Sequence, residues 1–156
     1  MIKKISVSVN KRIKKFKKTI TVESDKSISH RALLIASQCI GQSNITNILE
    51  GEDVMNTIKC LKKLGVKILK KNKKYVVYGN GLASFRRPKN NLLYAGNSGT
   101  LARMLFPLIG TQPDLKIKII GDKSLNTRDM KRIIDPLSKI GCIFYPKKKN
   151  NTSACY

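Results

Sequence analysis

Tryptophan is absent from the chain, histidine occurs once, at position 30, and acidic residues are few, with 9 Asp and Glu against 32 Lys and Arg. The four cysteines lie far apart and form no CxxC pair. This pattern is typical of reduced thiols in a cytoplasmic protein and argues against a zinc site or a disulfide framework. No apolar run approaches the ~20 residues of a membrane-spanning helix, and the basic N-terminus lacks the apolar segment of a secretory signal. We therefore expect a cytoplasmic protein that does not enter a membrane.

The chain has enough apolar residues for a core, since 41% of its 156 residues are hydrophobic. Its net charge of +23 admits two interpretations. Lysines that neutralise phosphates bind nucleic acid without sequence preference, so a small basic nucleic-acid-binding protein is the alternative function. However, only 7 basic residues are Arg and aromatic residues make up 6% of the chain, while Lys, Ile and Asn are abundant, as in an A- and T-rich coding sequence. We therefore do not expect nucleic acid as a partner.

Residue periodicity predicts alternating strands and helices, which is an α/β chain. The predicted elements of the first half are strands at 5–9 and 19–22, a helix capped by Ser27 or Ser29 and ending near Gly41, a strand at 44–48, a helix from about Asp53 to Gly65, and strands at 66–69 and 75–78. Those of the second half are a helix from about Asn97, a strand at 115–120, and a helix from about Asp129 to Gly141.

The two halves are similar to each other. Asp53 and Asp129 are separated by 76 residues, as are Gly65 and Gly141. This period predicts two copies of a βαβαββ unit, although leucine-glycine helix ends are common enough for coincidence to remain the alternative. Two first-helix N-termini would then offer unpaired backbone N–H groups and partial positive charge to an anion.

Two segments have the composition of an anion-binding site. Lys26, Ser27 and Arg31 would place an ammonium, a hydroxyl and a guanidinium at a helix N-terminus, which suits a phosphate or carboxylate. The segment 96–100, Gly-Asn-Ser-Gly-Thr, would let the backbone approach a ligand closely, and it is neither a Walker A loop nor a GxGxxG turn. For each segment, the alternative is an ordinary capped helix with solvated polar residues. The sequence shows no nucleophile–base pair, and His30 has no nearby acid, which favours a structural role.

These segments, taken together, resemble the 5-enolpyruvylshikimate-3-phosphate synthase family. The likeness runs from about Thr19 to Tyr145 and is carried, in chain order, by Lys26-Ser-Ile-Ser-His-Arg-Ala-Leu33, Asp53-Val54 ahead of Leu61…Leu64-Gly65, Gly96-Asn-Ser-Gly-Thr100 with Arg103, and Gly121-Asp-Lys-Ser-Leu125 with Arg128. UDP-N-acetylglucosamine enolpyruvyl transferase shares the family fold but differs in its equivalent of the first segment. The resemblance implies part of the first lobe of an inside-out α/β barrel.

The resemblance also implies an activity and a set of site residues. The reaction is transfer of the enolpyruvyl group from phosphoenolpyruvate to the 5-hydroxyl of shikimate 3-phosphate, with no metal or organic cofactor, by an enzyme whose full-length form is a monomer. Lys26 would contact both substrates, while Ser27 and Arg31 would hold shikimate 3-phosphate. Gly99 would line the phosphoenolpyruvate site, and Arg128 would pair with that substrate's charge. The supporting residues would be Asn97, Thr100 and Arg103.

The chain departs from the family pattern in three ways. Glu23-Ser24 stands where the family usually has Pro-Gly, and Asp129 stands where it commonly has Pro, so that a carboxylate beside Arg128 could weaken its hold on a ligand. Family members also run to over four hundred residues. We expect an N-terminal strand and basic linker at 1–18, about two repeat units at 19–146, and a non-matching, frameshifted tail at 147–156. The hypothesis is a truncated, inactive form whose missing part carries the acid–base residues.

Overall fold

A computed structural model describes residues 8, 10, 15, 17 and 19–145, and the backbone of 154–155. Its elements, in chain order, are α1 (Lys26–Gln38), β1 (Ile40–Thr46), α2 (Glu52–Lys63), β2 (Lys67–Lys71), β3 (Lys74–Asn80), β4 (Leu92–Tyr94), α3 (Gly99–Gly110), β5 (Ile117–Ile120), α4 (Lys123–Asn126), α5 (Lys131–Lys139), β6 (Phe144–Tyr145) and β7 (Ala154–Cys155). The expected mixture of helices and strands is present.

The strands form two sheets with a shared pattern. The first has the order β1-β3-β2, and both of its pairings are antiparallel. The second has the order β4-β5-β7-β6, in which β5, β7 and β6 are antiparallel and β4 adds to β5 in parallel. The order β1-β3-β2 therefore recurs as β5-β7-β6. In both cases one helix precedes the first strand of the set; α2 separates the first strand from the second in one set, and α4 and α5 separate them in the other.

The core lies between the helices and the inner faces of the sheets. Leu33 of α1, Leu61 of α2, and Leu101 and Phe106 of α3 are all fully buried in one continuous cluster. Burial of such side chains stabilises the fold by about 1.5–3 kcal/mol each, before conformational entropy is subtracted. One cluster thus holds the three helices in a common body.

Helix α2 matches its prediction closely. Its apolar stripe, which includes Val54, Ile58 and Leu61, is buried as the period of 3.6 residues requires. The helix ends where Gly65 adopts φ +90°, a left-handed conformation that glycine reaches without a Cβ penalty. The predicted strands that follow are also confirmed, with a turn at residues 72–73.

The start and end of α1 differ from prediction. Asp25, not Ser27 or Ser29, is the N-cap, because its Oδ1 accepts a hydrogen bond of 2.6 Å from the backbone N–H of Ile28. The helix ends at Gln38 rather than near Gly41, since residues from 40 onward pair with β3 and must be extended.

Three further segments bear on the strand predictions. Residues 19–22 form no strand, and Ile20 and Val22 are 67% and 71% exposed: the alternating pattern has no neighbouring strand to pair with among the described residues. The predicted strand at 5–9 lies outside the described residues, apart from Ser8. Strand β4 and the four-residue α4 are additional elements, too short to show a periodicity.

None of the described helices is both long enough and apolar enough to cross a membrane.

Candidate anion-binding site

The first arm of the site is the N-terminus of α1. Nζ of Lys26, the first residue of the helix, lies 3.1 Å from Oδ2 of Asp53 on α2. Ser27 and Arg31 are four residues apart and so share a helix face. Ser27 is half-buried and Arg31 exposed, and neither side chain has a hydrogen bond or ion pair within the described part of the chain. Both are free to contact a ligand.

The second arm is the N-terminus of α3. Oγ of Ser98 caps the helix by accepting a hydrogen bond of 3.2 Å from the backbone N–H of Leu101. A Cβ placed on Gly99 would lie 2.7 Å from Nη1 of Arg128 and 3.0 Å from Nη1 of Arg103. Two guanidinium groups therefore converge on the first turn of α3, where the helix N–H groups already favour negative charge.

A hydrogen-bond relay holds Arg128 in this position. Its Nη2 donates to Oδ1 of Asn97 at 2.6 Å, and Nδ2 of Asn97 donates to Oδ2 of Asp122 at 2.7 Å. Oδ1 of Asp122 caps α4 by accepting from the N–H of Leu125. This backbone hydrogen bond, with smaller contributions from Asn97, Ser124 and Arg128, lowers the pKa of Asp122 from its ordinary value. Asp122 therefore stays ionised and anchors the relay.

The carboxylate of Asp129, which the sequence placed beside Arg128, turns away from it. Its Oδ1 accepts a hydrogen bond of 2.8 Å from the backbone N–H of Lys131, at the start of α5. The carbonyl oxygen of Asp129 accepts from Nη2 of Arg103 at 3.3 Å. Among the described residues, neither guanidinium has a carboxylate within 4.0 Å. Two guanidinium groups without a direct ion pair in the described part of the chain thus lie over Gly99, and the carboxylate of Asp122 acts on Arg128 only from a greater distance.

The only histidine joins the two arms. His30 is fully buried, with Nδ1 2.6 Å from Oγ1 of Thr57 on α2 and Nε2 3.4 Å from Oγ of Ser98. Burial lowers the pKa of His30; the negative charge of Asp53 opposes this shift and the positive charge of Lys26 adds to it. The imidazole is therefore a neutral, buried connection between α1, α2 and the cap of α3.

The structure brings together some of the predicted residues but not all of them. Asn97, Gly99, Arg103 and Arg128 form one cluster through the contacts above. Lys26 contacts Asp53 instead, and within the described residues no side-chain hydrogen bond or ion pair joins the remaining predicted residues, Ser27, Arg31 and Thr100, to that cluster.

Sequence reasoning missed the acidic residues that organise the site. Asp53 and Asp122 hold the side chains of Lys26 and Asn97. A signal for the caps was present, since the tripeptide Asp-Lys-Ser occurs at 25–27 and again at 122–124. In both copies the aspartate is the N-cap and accepts from the N–H three residues on. At an N-cap, the aspartate side chain accepts from the backbone N–H three residues on. Applied to the sequence, this rule would have identified Asp25 and Asp122.

The chemistry available at the site is anion binding. Ammonium and guanidinium groups surround helix N-termini, and no group of three or more His, Cys, Asp or Glu side chains in the described ranges is placed to hold a metal ion. A ligand with two or more negative charges would match this arrangement.

Comparisons with known proteins agree with this site. The sequence model of the family EPSP synthase (3-phosphoshikimate 1-carboxyvinyltransferase) matches residues 10–155. The chain belongs to the EPSP synthase family. The match includes parts of both segments, 1–18 and 147–156, that the sequence analysis set apart.

Individual relatives give the same family and define the extent of the match. A 3-phosphoshikimate 1-carboxyvinyltransferase from Syntrophomonas wolfei is 41% identical over 143 residues, which are 92% of this chain and 33% of that protein. One from Streptococcus agalactiae is 44% identical over 125 residues, 80% of this chain and 29% of the relative. The chain thus spans about a third of the length of these relatives.

A solved structure gives the fold. The EPSP synthase from Acinetobacter baumannii superposes with a TM-score of 0.80 at 33% identity, over 87% of this chain and 31% of that one. The described residues are therefore part of the inside-out α/β fold of the EPSP synthase family, as the sequence motifs predicted.

Proposed function

We propose that the protein, in its full-length form, transfers the enolpyruvyl group from phosphoenolpyruvate to the 5-hydroxyl of shikimate 3-phosphate and releases phosphate. The observation that carries this proposal is the convergence of Arg103 and Arg128 on Gly99 without a direct ion pair to a carboxylate among the described residues. Both substrates are polyanions, and family membership supplies the reaction. The nucleic-acid alternative has no comparable support.

Each arm would bind mainly one of the two substrates. On α1, Ser27 and Arg31 would hold shikimate 3-phosphate, because both side chains lack protein partners among the described residues. Lys26 would contact both substrates from the start of the same helix. Its contact with Asp53 is half-exposed, so an incoming phosphate can compete for the ammonium at little cost.

The α3 arm would bind phosphoenolpyruvate. The backbone at Gly99 would line the site, and Arg128 would pair with the negative charge of the substrate. Asn97 would keep Arg128 in place, while Thr100 and Arg103 would support the same turn. Charges held in position before the substrate arrives stabilise developing negative charge without reorganisation, which is often the largest catalytic contribution.

We propose further that the 156 residues bind these ligands but do not turn them over. The described residues of the site contain anion-binding groups and no acid–base pair, and the chain covers about a third of its relatives. Residues 19–146 would supply about two repeat units of the first lobe. From the family resemblance we expect the full-length enzyme to be a monomer, and the widely spaced cysteines favour the cytoplasm.

A chimeric enzyme tests the activity. Residues 10–155 would replace the matching segment of the Syntrophomonas wolfei relative, and phosphate release would be measured with both substrates. The proposal expects turnover that falls at least about a hundredfold with Arg128→Ala, since charged hydrogen bonds in the transition state are lost. Arg132→Ala, at an exposed arginine of α5, is the control with the same charge change and should retain activity.

The isolated chain tests binding separately. Calorimetric titration with shikimate 3-phosphate should show binding that Arg31→Ala abolishes and Arg132→Ala leaves intact. A fully folded chain that binds neither substrate, together with an inactive chimera, would refute the proposed function. Turnover by the isolated chain would refute the proposal that the catalytic acid–base residues lie elsewhere.

A further inference from the structure

One hydrogen-bond order around His30 suits all of its neighbours. Oγ1 of Thr57 lies 3.2 Å from the carbonyl oxygen of Asp53, to which it can donate, and 2.6 Å from Nδ1 of His30; when its hydrogen is used on the carbonyl, its oxygen accepts from Nδ1–H. A neutral imidazole then has a lone pair on Nε2. The hydroxyl of Ser98 can donate to that lone pair at 3.4 Å, while its oxygen accepts from the N–H of Leu101.

This order satisfies every buried polar atom of the connection at once. Ser98 is 1% exposed, Thr57 and His30 are fully buried, and water is therefore not available to replace a lost partner. The charged side chains that act on the imidazole are Asp53 on α2 and Lys26 on α1, and α3 faces it with the Ser98 hydroxyl. Asp53 and Lys26 carry opposite charges and contact each other, so their effects on the pKa of His30 have opposite signs.

We propose that His30, as the neutral tautomer with its proton on Nδ1, is a positioning residue that fixes the N-terminus of α3 relative to those of α1 and α2, and thereby sets the spacing between the two arms of the anion site. This inference rests on the proposed function for the identity of the ligands. His30 does not touch the ligand. It acts through Ser98, the N-cap residue of α3, which directly precedes Gly99.

Protonation should disrupt this arrangement in a defined way. With a proton on Nε2, the imidazolium would donate toward Ser98, and the hydroxyl hydrogen of Ser98 would lose its acceptor in a buried site. The cap of α3 and the backbone at Gly99 would then shift. Ligand affinity should therefore fall when His30 becomes protonated, relative to a variant that cannot be protonated.

The tautomer can be measured directly on the 156-residue chain. Because the chain has one histidine, long-range proton–nitrogen spectra of ¹⁵N-histidine-labelled protein report His30 alone. The expected result is a protonated Nδ1 and an unprotonated Nε2 at pH 7.5, with the amide signals of Ser98 and Gly99 shifting as His30 titrates below its usual pH range. A protonated Nε2 at pH 7.5, or a titration that leaves both amides unmoved, would overturn the inference.

Two substitutions separate the two ends of the imidazole. His30→Gln can place an amide oxygen near the Nε2 position and accept from Ser98, whereas His30→Asn can place its amide nitrogen near Nδ1 and keep only the Thr57 contact. Binding of inorganic phosphate and of shikimate 3-phosphate should be within about twofold of wild type for His30→Gln and about three- to tenfold weaker for His30→Asn. Equal affinities of the wild type and His30→Asn would overturn the inference.

The pH dependence supplies a readout that mere loss of stability would not produce. Comparing wild type and His30→Gln at each pH cancels the ionisation of the ligand itself. The ratio of their association constants should fall as the pH is lowered from 7.5 to 5.5, and a rising ratio would mean that the imidazolium attracts the anion directly. If no ligand binds the folded wild-type chain, the proposal that this chain binds the substrates fails, while the tautomer and amide shifts still decide the role of His30.

Discussion

Arg128 lies over Gly99, so closely that a Cβ at position 99 would be 2.7 Å from its Nη1 atom. The two residues belong to different segments, and Asn97 holds the arginine by a hydrogen bond of 2.6 Å to its Nη2. A side chain at position 99 would therefore occupy the space between the guanidinium group and the helix N-terminus. That space is where an anion would contact both.

Gly99→Ala should separate ligand binding from folding. The nearest atoms are the flexible ends of Arg128 and Arg103, which can move aside, so the free energy of unfolding should change by less than about 1 kcal/mol. Affinity for phosphoenolpyruvate should fall about tenfold, because the guanidinium groups are displaced. Urea unfolding and calorimetric titration measure the two effects, and unchanged affinity would contradict the placement of the site.

Gly79→Ala should, by contrast, lower the stability of the fold. A Cβ at Gly79, on the central strand β3, would overlap the carbonyl oxygens of Ala36 and Cys39 at the end of α1. Backbone atoms cannot move aside as a flexible side chain can, so the helix must shift away from the sheet. We expect a loss of about 2–3 kcal/mol of unfolding free energy in urea denaturation.

Gly51→Ser is the matched control for that loss. Gly51 is the N-cap of α2, with φ −73° and no side-chain cap, and a Cβ added to it would come no closer than 3.8 Å to the side chain of Leu49. A serine hydroxyl could cap the helix, so stability should stay the same or rise by a few tenths of a kcal/mol. A large loss in both variants would show that the chain tolerates no substitution, and that the Gly79 effect is not specific.

Stability should decrease at mildly acidic pH because of His30. Burial places the pKa of its imidazole below the ordinary value of 6.5, so the unfolded chain binds a proton more readily than the folded one. The contribution of His30 is therefore complete above pH 6.5 and declines as the pH falls below it. The unfolding free energy, measured by urea titration from pH 7.5 to 5.5, should fall more steeply for wild type than for His30→Gln.

The cysteines should differ in reactivity. Burial raises the pKa of the Cys60 thiol to about 11, and its Sγ lies 3.4 Å from the carbonyl oxygen of Tyr94, whereas Cys39 is exposed. At pH 8 an alkylating reagent should modify Cys39 within minutes and leave Cys60 unmodified until the chain unfolds. Peptide mass spectrometry distinguishes the two positions, and early modification of Cys60 would contradict the packing of α2 against β4.

Elements of the fold were predictable where the spacing of apolar residues along the chain is regular. The stripe of Val54, Ile58 and Leu61 has the period of a helix and predicts α2 within a residue or two. The same reasoning was wrong at 19–22, because alternation requires a partner strand that the described residues do not provide. It could not predict α4, because four residues are too few for a period.

The candidate site was predictable in composition but not in geometry. The sequence identified Lys26, Gly99 and Arg128 as anion-binding residues, but not the aspartates that organise them. Asp122 holds Asn97 across 25 residues of chain, and Asp53 contacts Lys26 across 27. Such pairs depend on how helices pack, and no local pattern encodes the packing.

The sequence by itself determined the presence of the longer helices, the family and the positive charge of the candidate site, because periodicity, motifs and composition can be read from the residue order alone. Only the tertiary structure decided that Asn97 holds Arg128 across 31 residues of chain, and that His30 contacts Ser98 across 68. The physical reason is that burial of one continuous core packs the three helices together, and side chains distant in sequence then become hydrogen-bond partners.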